Sequence, residues 1–347
     1  MKKVINVLLT VLLFNSTFAQ SNAQRTFTNP LLPSGPDPWV IFHNGYYYYT
    51  NSMGDRLVLY KTKNMADLKA AERKTVWTPP PHTMWSKELW APELHFINHK
   101  WYMYFAADDG DNNHHRLYVI ENPSPDPLSG SWKFKGKISD DTDKWAIDAS
   151  VFENKGKWYI IWAGWEGDEN GEQDIYIARL KNPWTIGSRR VKISSPQYDW
   201  EKYGDLGANS NPPHVNVNEG PEMLKHGDKL FLIYSASGCW TDYYALGMLS
   251  TSVNNDLLDP PSWKKSAKPV FKASPENKVY APGHNSFFKS ADGKEDWILY
   301  HANSAPGLGC GRQRSPRMQQ FHWNADGTPD FGIPVSVDVQ LAVPSGS

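Results

Sequence analysis

The stretch DPWVIFHNGYYYYTNS, residues 37–52, contains the unit from which this chain is built. A small or polar residue, here Asp37, is followed by a short apolar strand, a turn with Gly or Asn and a second strand rich in aromatic residues, which is the pattern of a β-hairpin. Four further stretches repeat this order, APELHFINHKWYMYFAA, DASVFENKGKWYIIWAG, EGPEMLKHGDKLFLIYSAS and HNSFFKSADGKEDWILYHAN, beginning at Ala91, Asp148, Glu219 and His284. The sequence therefore predicts five copies of one hairpin-based unit.

The spacing of the copies indicates the size of each unit. With Tyr47, Trp101, Trp158, Leu230 and Trp297 aligned, the intervals are 54, 57, 72 and 67 residues. Further strand candidates lie within the intervals, such as RLVLYKT and RLYVIEN, so one unit has about four strands. Periods of this size are typical of β-propellers, whose blades bury their faces against their neighbours. We predict an all-β, five-bladed β-propeller over residues 27–343, with a two-domain β-sandwich as the alternative.

The overall charge argues against a charged partner. Lys and Arg together number 36 and Asp and Glu 37, which gives a net charge of −1. No basic stripe interrupts this balance, so neither nucleic acid nor an anionic membrane surface is an expected partner. The chain also contains 16 Trp and 17 Tyr, whose rings suit both β-structure and stacking on the apolar faces of sugars.

The N-terminus has the features of a secretory signal peptide. Its sequence MKKVINVLLTVLLFNSTFAQ combines two lysines, an apolar run over residues 4–14 and a small residue, Ala19, at its end. The apolar run is too short to span a bilayer comfortably. We expect cleavage after residues 1–19, secretion or periplasmic export, and no membrane insertion afterwards; a retained anchor is the alternative.

The chain contains two cysteines, Cys239 and Cys310. An even number of cysteines in an exported chain is consistent with one disulfide, and two buried free thiols are the other interpretation.

The starts of the five units carry the residues with catalytic chemistry. In a propeller the first strand of each blade lines the central channel, so equivalent positions converge there. Those positions are Asp37, Ala91, Asp148, Glu219 and His284. Three carboxylates at one mouth cannot all stay ionised at low cost, so such a site holds a base and an acid near neutral pH. Hydrolysis of a glycosidic bond requires that pair.

Other residues near these positions have two interpretations. Glu93 is out of register with the repeat, so we interpret it as structural. Trp85, Trp90 and Trp165 lie in the aromatic-rich stretches MWSKELWAPE and WAGWEG. They are candidates for a wall that stacks on sugar rings, and core packing is the alternative for each.

Several motifs together resemble glycoside hydrolase family 43, and most closely its exo-acting α-L-arabinofuranosidases. The motifs run in order from about Asn29 to Pro334 and include WAPELHFINHKWYMYF, IDASVFENKGKWYIIW, NEGPEMLKHGDKLFLIYSASG, APGHNSFF and WNADGTPDFGIP. The resemblance implies a five-bladed β-propeller and inversion of the anomeric configuration. It also implies that Asp37 is the general base, that Glu219 is the general acid, and that Asp148 raises the pKa of that acid and orients it.

The same resemblance implies further site residues. The histidine of GHNS, His284, would lie near the substrate and hold calcium or sodium through water, although no cofactor is expected to be required. A late arginine would contact sugar hydroxyls; of Arg312, Arg314 and Arg317 we favour Arg317. The cysteine-bearing loops SGCWTDYY and GLGCGRQRS depart from the family pattern.

The predicted function is release of terminal α-L-arabinofuranosyl residues from arabinan or arabinoxylan, which would make arabinose-containing plant polysaccharides the partners. A β-D-xylosidase and an endo-arabinanase of the same family are the enzymatic alternatives. A non-catalytic sugar-binding propeller is the alternative from another class, and it would have no reason to hold three carboxylates at blade starts.

Overall fold

The computed structural model describes Met1 and residues 25–346. This part of the chain is built of β-strands, which confirms the all-β prediction. Its helices are short 3-10 turns: Met65–Ala70, Asn112–His114, Asp199–Glu201, Pro260–Ser262 and Pro275–Asn277. Within the described residues, no helix is long and apolar enough to cross a membrane. Apart from Met1, the predicted signal peptide lies outside the described residues.

After a short first strand, β1 (Thr26–Phe27), the strands form five antiparallel units in chain order. Unit 1 contains β2 (Trp39–His43), β3 (Tyr46–Thr50), β4 (Leu57–Thr62) and β5 (Glu72–Trp77). Unit 2 contains β6 (Lys87–Ile97), β7 (Lys100–Asp108), β8 (Arg116–Asn122) and β9 (Lys133–Ile138). Unit 3 contains β10 (Ala146–Asn154), β11 (Lys157–Gly164), β12 (Glu172–Asn182), the short β13 (Thr185–Ile186) and β14 (Val191–Ser194).

Unit 4 contains β15 (Asn216–His226), β16 (Lys229–Ala236), β17 (Ala245–Ser252) and β18 (Lys264–Lys265). Unit 5 contains β19 (Tyr280–Lys289), β20 (Asp296–Asn303), β21 (Ser315–Trp323) and β22 (Pro329–Asp330), and β23 (Leu341–Ala342) follows it. Units 1, 2 and 5 are separate four-stranded sheets. Units 3 and 4 are joined by a short parallel pairing in which Glu172 lies opposite Asn216.

The hairpin that opens unit 1 follows from its local sequence. Asn44 and Gly45 both have positive φ, 49° and 80°. This is the geometry of the tight turn that Asn-Gly favours, because its twist matches that of the paired strands. The turn sets the register, with His43 opposite Tyr46 and Trp39 opposite Thr50.

The aromatic run of β3 is explained by the two buried faces of its sheet. Side chains alternate between the faces of a strand. Tyr47 and Tyr49 belong to a core cluster shared with Phe288 of unit 5, whereas Tyr48 belongs to a cluster shared with Trp101 of unit 2. Other clusters likewise span units 2 to 4 and units 4 to 5. The apolar core therefore lies between consecutive sheets.

The five first strands surround a common centre. Each of β2, β6, β10, β15 and β19 contacts the next, and β19 contacts β2, so the cycle is closed. At the chain ends, β1 pairs with β23, with Thr26 opposite Ala342. Residues at the beginnings of the first strands are consequently brought together.

Candidate active site

The first strands share a β-bulge near their beginnings. In unit 3, Ile147 pairs with Ala163 and Ser150 pairs with Ile161, so Asp148 and Ala149 together face a single partner residue. Units 2, 4 and 5 have the same shift. In unit 1 the equivalent residues precede Trp39, where the backbone N–H of Ser52 donates to the carbonyl of Pro36. Bulges redirect side chains, here toward the common centre.

The first residue of each bulge has a left-handed backbone. The φ values are 56° at Asp37, 42° at Ala91, 57° at Asp148, 54° at Gly220 and 47° at His284. The repeat predicted this set with Glu219 in place of Gly220, and that register is wrong by one residue. Glu219 still pairs with Ser235, and the bulge follows it at Gly220 and Pro221. The glutamate thus approaches the centre from one position before the two aspartates.

A cavity of about 590 Å³ occupies this end of the molecule. Asp37, Asp148, Glu219 and His284 all line it, together with Trp90. All four ionisable residues are buried in the protein interior, with at most 9% of each exposed. A cavity of this size with a few converging polar groups is a typical binding site for a small ligand.

Asp37 is held as a carboxylate. Arg314 Nη1 donates to its Oδ1 at 2.9 Å, and the Ser52 hydroxyl donates to its Oδ2 at 2.5 Å. Burial alone would raise the pKa of Asp37, but Arg314, His284 and the other neighbours outweigh burial and bring the pKa below its usual value. These contacts therefore favour the ionised form of Asp37.

Asp148 and Glu219 differ from Asp37 in that their pKa values are raised. Burial, reinforced by the charges of Glu219 and Asp37, raises the pKa of Asp148 well above its usual value. Burial also raises the pKa of Glu219 to about 7, with Asp37 adding to the shift and a hydrogen bond from Tyr244 opposing it. Two neighbouring carboxyls with raised pKa values hold a proton between them near neutral pH.

Two hydrogen bonds fix the geometry of this pair. The backbone N–H of Gly220 donates to Asp148 Oδ2 at 2.9 Å, which ties the aspartate to the residue that follows Glu219. The hydroxyl of Tyr244 donates to Glu219 Oε1 at 2.8 Å. A side chain on Gly220 would crowd the imidazole of His284, since an added Cβ would lie 3.1 Å from its Nδ1.

Two histidines flank Asp37. Burial lowers the pKa of both His284 and His301, although the charge of Asp37 acts in the opposite direction. The Nδ1 atom of His301 accepts the backbone N–H of Asp37 at 3.0 Å, so this nitrogen carries a lone pair and the ring is neutral. His284 Nδ1 lies 3.4 Å from Asp37 Oδ1.

Trp90, Trp145 and Trp240 line the cavity, whereas the other two predicted tryptophans do not. Trp165 does not line the cavity; it stacks on the back of Trp145, with ring centroids 4.7 Å apart. Trp85 also lies outside the cavity, where it stacks on Phe134. The sequence could have identified Trp145, since it stands three residues before Asp148 in WAIDAS.

A cluster of His115, Asp108 and Glu88, of which the first two are buried, supports Trp90 from behind. His115 stacks on Trp90 with ring centroids 4.0 Å apart. Its Nδ1 lies 3.0 Å from Asp108 Oδ2, and its Nε2 lies 3.1 Å from the carbonyl of Glu88. Carboxylate and imidazole atoms of these three residues are close enough to hold a metal ion. Because both ring nitrogens already face oxygen atoms, the cluster is sufficiently explained as a hydrogen-bonded support.

The arginine at the cavity is Arg314, whereas the sequence favoured Arg317. Arg317 is fully buried in β21, where its Nη2 donates to the Ser304 hydroxyl at 2.8 Å, and it does not line the cavity. Arg314 lies just before β21 and donates a hydrogen bond to Asp37, whereas Arg312 lines the rim of the cavity. Of the three candidate arginines, Arg317 is therefore buried within its sheet, whereas Arg312 and Arg314 lie at the cavity.

Cys239 and Cys310 form a disulfide with a Cα–Cα distance of 5.1 Å, which confirms the pairing over the free-thiol interpretation. The bond joins the loop after β16 to the loop after β20, and both cysteines line the cavity together with Trp240. The rim of the cavity is therefore covalently linked across units 4 and 5.

Comparison with known proteins agrees with this geometry. The family model described as "Glycosyl hydrolases family 43" matches residues 27–329, most of the chain. The chain belongs to glycosyl hydrolase family 43.

Relatives of this family 43 chain include an extracellular exo-α-(1→5)-L-arabinofuranosidase of Streptomyces avermitilis, 41% identical over 92% of the chain. An α-L-arabinofuranosidase 43 of Humicola insolens is 35% identical over 93% of the chain. The family 43 chain spans 66% of the length of each of these two proteins. The crystal structure of an α-L-arabinofuranosidase from Lactobacillus brevis superposes with a TM-score of 0.83 at 38% identity, covering 90% of this chain and 98% of that one.

Proposed function

We propose that this chain is a secreted, inverting glycoside hydrolase that releases terminal α-L-arabinofuranosyl residues from arabinan or arabinoxylan. The observation that carries the proposal is the contrast within one cavity between an ionised Asp37 and a proton-holding Asp148–Glu219 pair. Hydrolysis of a glycosidic bond needs both states at once. The names of the relatives from Streptomyces avermitilis and Humicola insolens support arabinofuranose as the sugar.

Each residue has a specific role in the proposed reaction. Asp37 takes a proton from the water that attacks the anomeric carbon. Glu219 gives its proton to the departing oxygen, so that the leaving group departs as an alcohol. Asp148 orients the acid through the Gly220 amide. When the proton shared by the pair is on Glu219, the negative charge on Asp148 opposes its loss. Arg314 keeps Asp37 ionised and in place.

Inversion sets a geometric condition. The attacking water must fit between base and anomeric carbon, so we expect the Asp37 and Glu219 carboxyls to lie roughly 6.5 to 9.5 Å apart, rather than the roughly 5 to 5.5 Å of a retaining pair. The ring of Trp90 is stacked on His115, and the ring of Trp145 is stacked on Trp165. Aromatic rings held in this way at the cavity favour a sugar ring as its ligand.

We further propose that residues 27–343 form a single five-bladed β-propeller, with units 1 to 5 as its blades. The closed cycle of first strands and the pairing of β1 with β23 support this arrangement. Export through cleavage of residues 1–19 is part of the same proposal, and it is supported by the word extracellular in the name of the Streptomyces avermitilis relative.

A hydrated calcium or sodium ion in the cavity is also a proposal. The residues present fit such an ion, since burial lowers the pKa of His284, which favours the neutral imidazole, and three carboxyl groups line the same cavity. His284 would hold the ion through water, and the ion would supply positive charge near the carboxylates.

The proposal is tested with aryl arabinofuranosides and arabino-oligosaccharides, followed by NMR. We expect free arabinose with the anomeric configuration inverted at the first time points. Faster hydrolysis of the matched xyloside would favour the β-D-xylosidase alternative, and oligosaccharide products without arabinose would favour the endo-arabinanase. Tight binding of the sugar without hydrolysis would favour the non-catalytic sugar-binding propeller.

A further inference from the structure

A second group of polar residues lies one step below the catalytic carboxyls. Glu93, Ser150 and Glu222 are each the first paired residue after the bulge of their strand. We call these three residues the lower carboxyl layer. They belong to units 2, 3 and 4, and none of them lines the catalytic cavity. The layer therefore needs an explanation other than contact with the sugar.

The lower carboxyl layer is internally hydrogen bonded. The hydroxyl of Ser150 donates to Glu222 Oε2 at 3.0 Å. Glu93 Oε2 lies 2.9 Å from His95 Nε2, and the carboxyls of Glu93 and Glu222 hydrogen bond to each other. A hydrogen bond between two carboxyls requires a proton on one of them. Burial raises the pKa of Glu93 well above its usual value and that of Glu222 to about 7, which is consistent with a shared proton.

Ser150 and Glu222 join two first strands that are not paired with each other in a sheet. Ser150 stands two residues after Asp148 on β10, and Glu222 stands three residues after Glu219 on β15. These two strands have no ladder between them; β10 pairs with β11, and β15 pairs with β12 and β16. The bond from Gly220 to Asp148 and the bond from Ser150 to Glu222 therefore join β10 and β15 at two successive levels.

We propose that Glu222 is a positioning residue for the general acid. Its hydrogen bond from Ser150, supported by Glu93, holds β15 against β10 and so fixes where Glu219 presents its proton relative to Asp148. This inference rests on the proposed function, because it concerns proton delivery to the leaving oxygen. It also reinterprets Glu93, which is part of a support beneath the site rather than an isolated structural residue.

The charged and titratable groups named around Glu222 come from units 2 and 3. Glu93 and His95 face it from unit 2, and Asp148 lies above it on unit 3. The charge of Asp148 acts on Glu93 and raises its pKa. A change in the layer is thus expected to reach the pH profile of the acid as well as its position.

The experiment compares Ser150→Ala, Glu222→Ala and Glu222→Gln on two substrates. An arabino-oligosaccharide needs a proton on its leaving oxygen, whereas a dinitrophenyl arabinofuranoside does not. We expect Ser150→Ala and Glu222→Ala to lower kcat on the oligosaccharide about tenfold, with KM and the dinitrophenyl rate nearly unchanged. Glu222→Gln keeps an oxygen for Ser150 and should recover much of the loss, while the alkaline limb of its pH profile moves.

Glu121→Gln is the matched control, since Glu121 is also a buried glutamate but bonds to Tyr102 away from the cavity. It should leave both rates unchanged even if the melting temperature falls. Equal losses on both substrates, or no loss on either, would overturn the positioning role. Activity of the wild type on both substrates is measured first, because its absence would count against the proposed function and not against this inference alone.

Discussion

The guanidinium of Arg314 donates a hydrogen bond to Oδ1 of Asp37 at 2.9 Å, although 277 positions separate the two residues in the chain. The contact joins the segment before β21 to the bulge that opens unit 1. It brings a fixed positive charge to the carboxylate that we propose as the base. Several expectations depend on this contact and on the proton held on the other side of the cavity.

Arg314→Ala should move the acidic limb of the kcat/KM profile to higher pH. Arg314 lowers the pKa of Asp37, so its removal raises that pKa, and the base then becomes protonated at a pH where the wild type is still active. A shift of at least about one pH unit is expected for loss of an opposite charge in contact. Arg312→Ala serves as the control, since Arg312 lines the same rim; identical shifts in both variants would contradict the specific contact.

Asp37→Ala and Glu219→Ala should each lower kcat on arabino-oligosaccharides by about a hundredfold to ten-thousandfold, the range for loss of a general acid or base. The two variants should differ on a dinitrophenyl arabinofuranoside. Glu219→Ala should recover on that substrate because its leaving group needs no proton, whereas Asp37→Ala should stay inactive. Steady-state rates on both substrates test this, and recovery of Asp37→Ala instead would reverse the assigned roles.

Activity should fall as the pH rises through about 7, because burial raises the pKa of Glu219 to about 7 and the acid must be protonated to act. Asp148→Asn removes a negative neighbour, so the pKa of Glu219 falls and the alkaline limb moves to lower pH, with a lower maximum rate. A pH profile of kcat/KM checks both statements. A limb that stayed in place in Asp148→Asn would mean that Asp148 does not act on the acid electrostatically.

Replacing both Cys239 and Cys310 by Ser should destabilise the protein and loosen the cavity rim. The disulfide closes a loop with a sequence separation of 71, and the chain-entropy model gives about 4 kcal/mol as the stabilisation from such a loop. Thermal melting and KM on oligosaccharides are the measurements, with melting of the reduced wild type as the comparison. An unchanged melting temperature would show that the loops hold together without the bond.

The unit pattern could be predicted from sequence because both faces of each sheet are buried. Tyr47 and Tyr48 pack toward different neighbours, so aromatic residues at successive positions of β3 indicate a sheet between two others. The register of Glu219 could not be predicted in the same way. A bulge adds one unpaired residue, and whether it begins at Glu219 or Gly220 depends on the backbone conformation of that residue rather than on hydrophobic pattern.

The aromatic and basic residues of the cavity were predicted less well for a related reason. Trp145 and Trp165 stack face to face, and sequence composition does not distinguish the ring that meets the cavity from the ring behind it. Similarly, Arg314 and Arg317 are three positions apart, but Arg317 lies within β21 and is buried between sheets, while Arg314 precedes that strand.

The left-handed residues at the bulges imply a trade-off between durability and activity. A non-glycine residue in that conformation costs roughly 1 to 3 kcal/mol, and it persists only because its surroundings enforce it. Ala91 bears this cost at φ 42° without a carboxylate to present, so Ala91→Gly should raise the melting temperature and leave the rate unchanged. A change to glycine at Asp37 or Asp148 would relieve the same backbone strain, but it would remove a carboxyl group that the proposed reaction needs. Selection for thermal stability alone would therefore favour descendants of this chain that have lost these carboxylates.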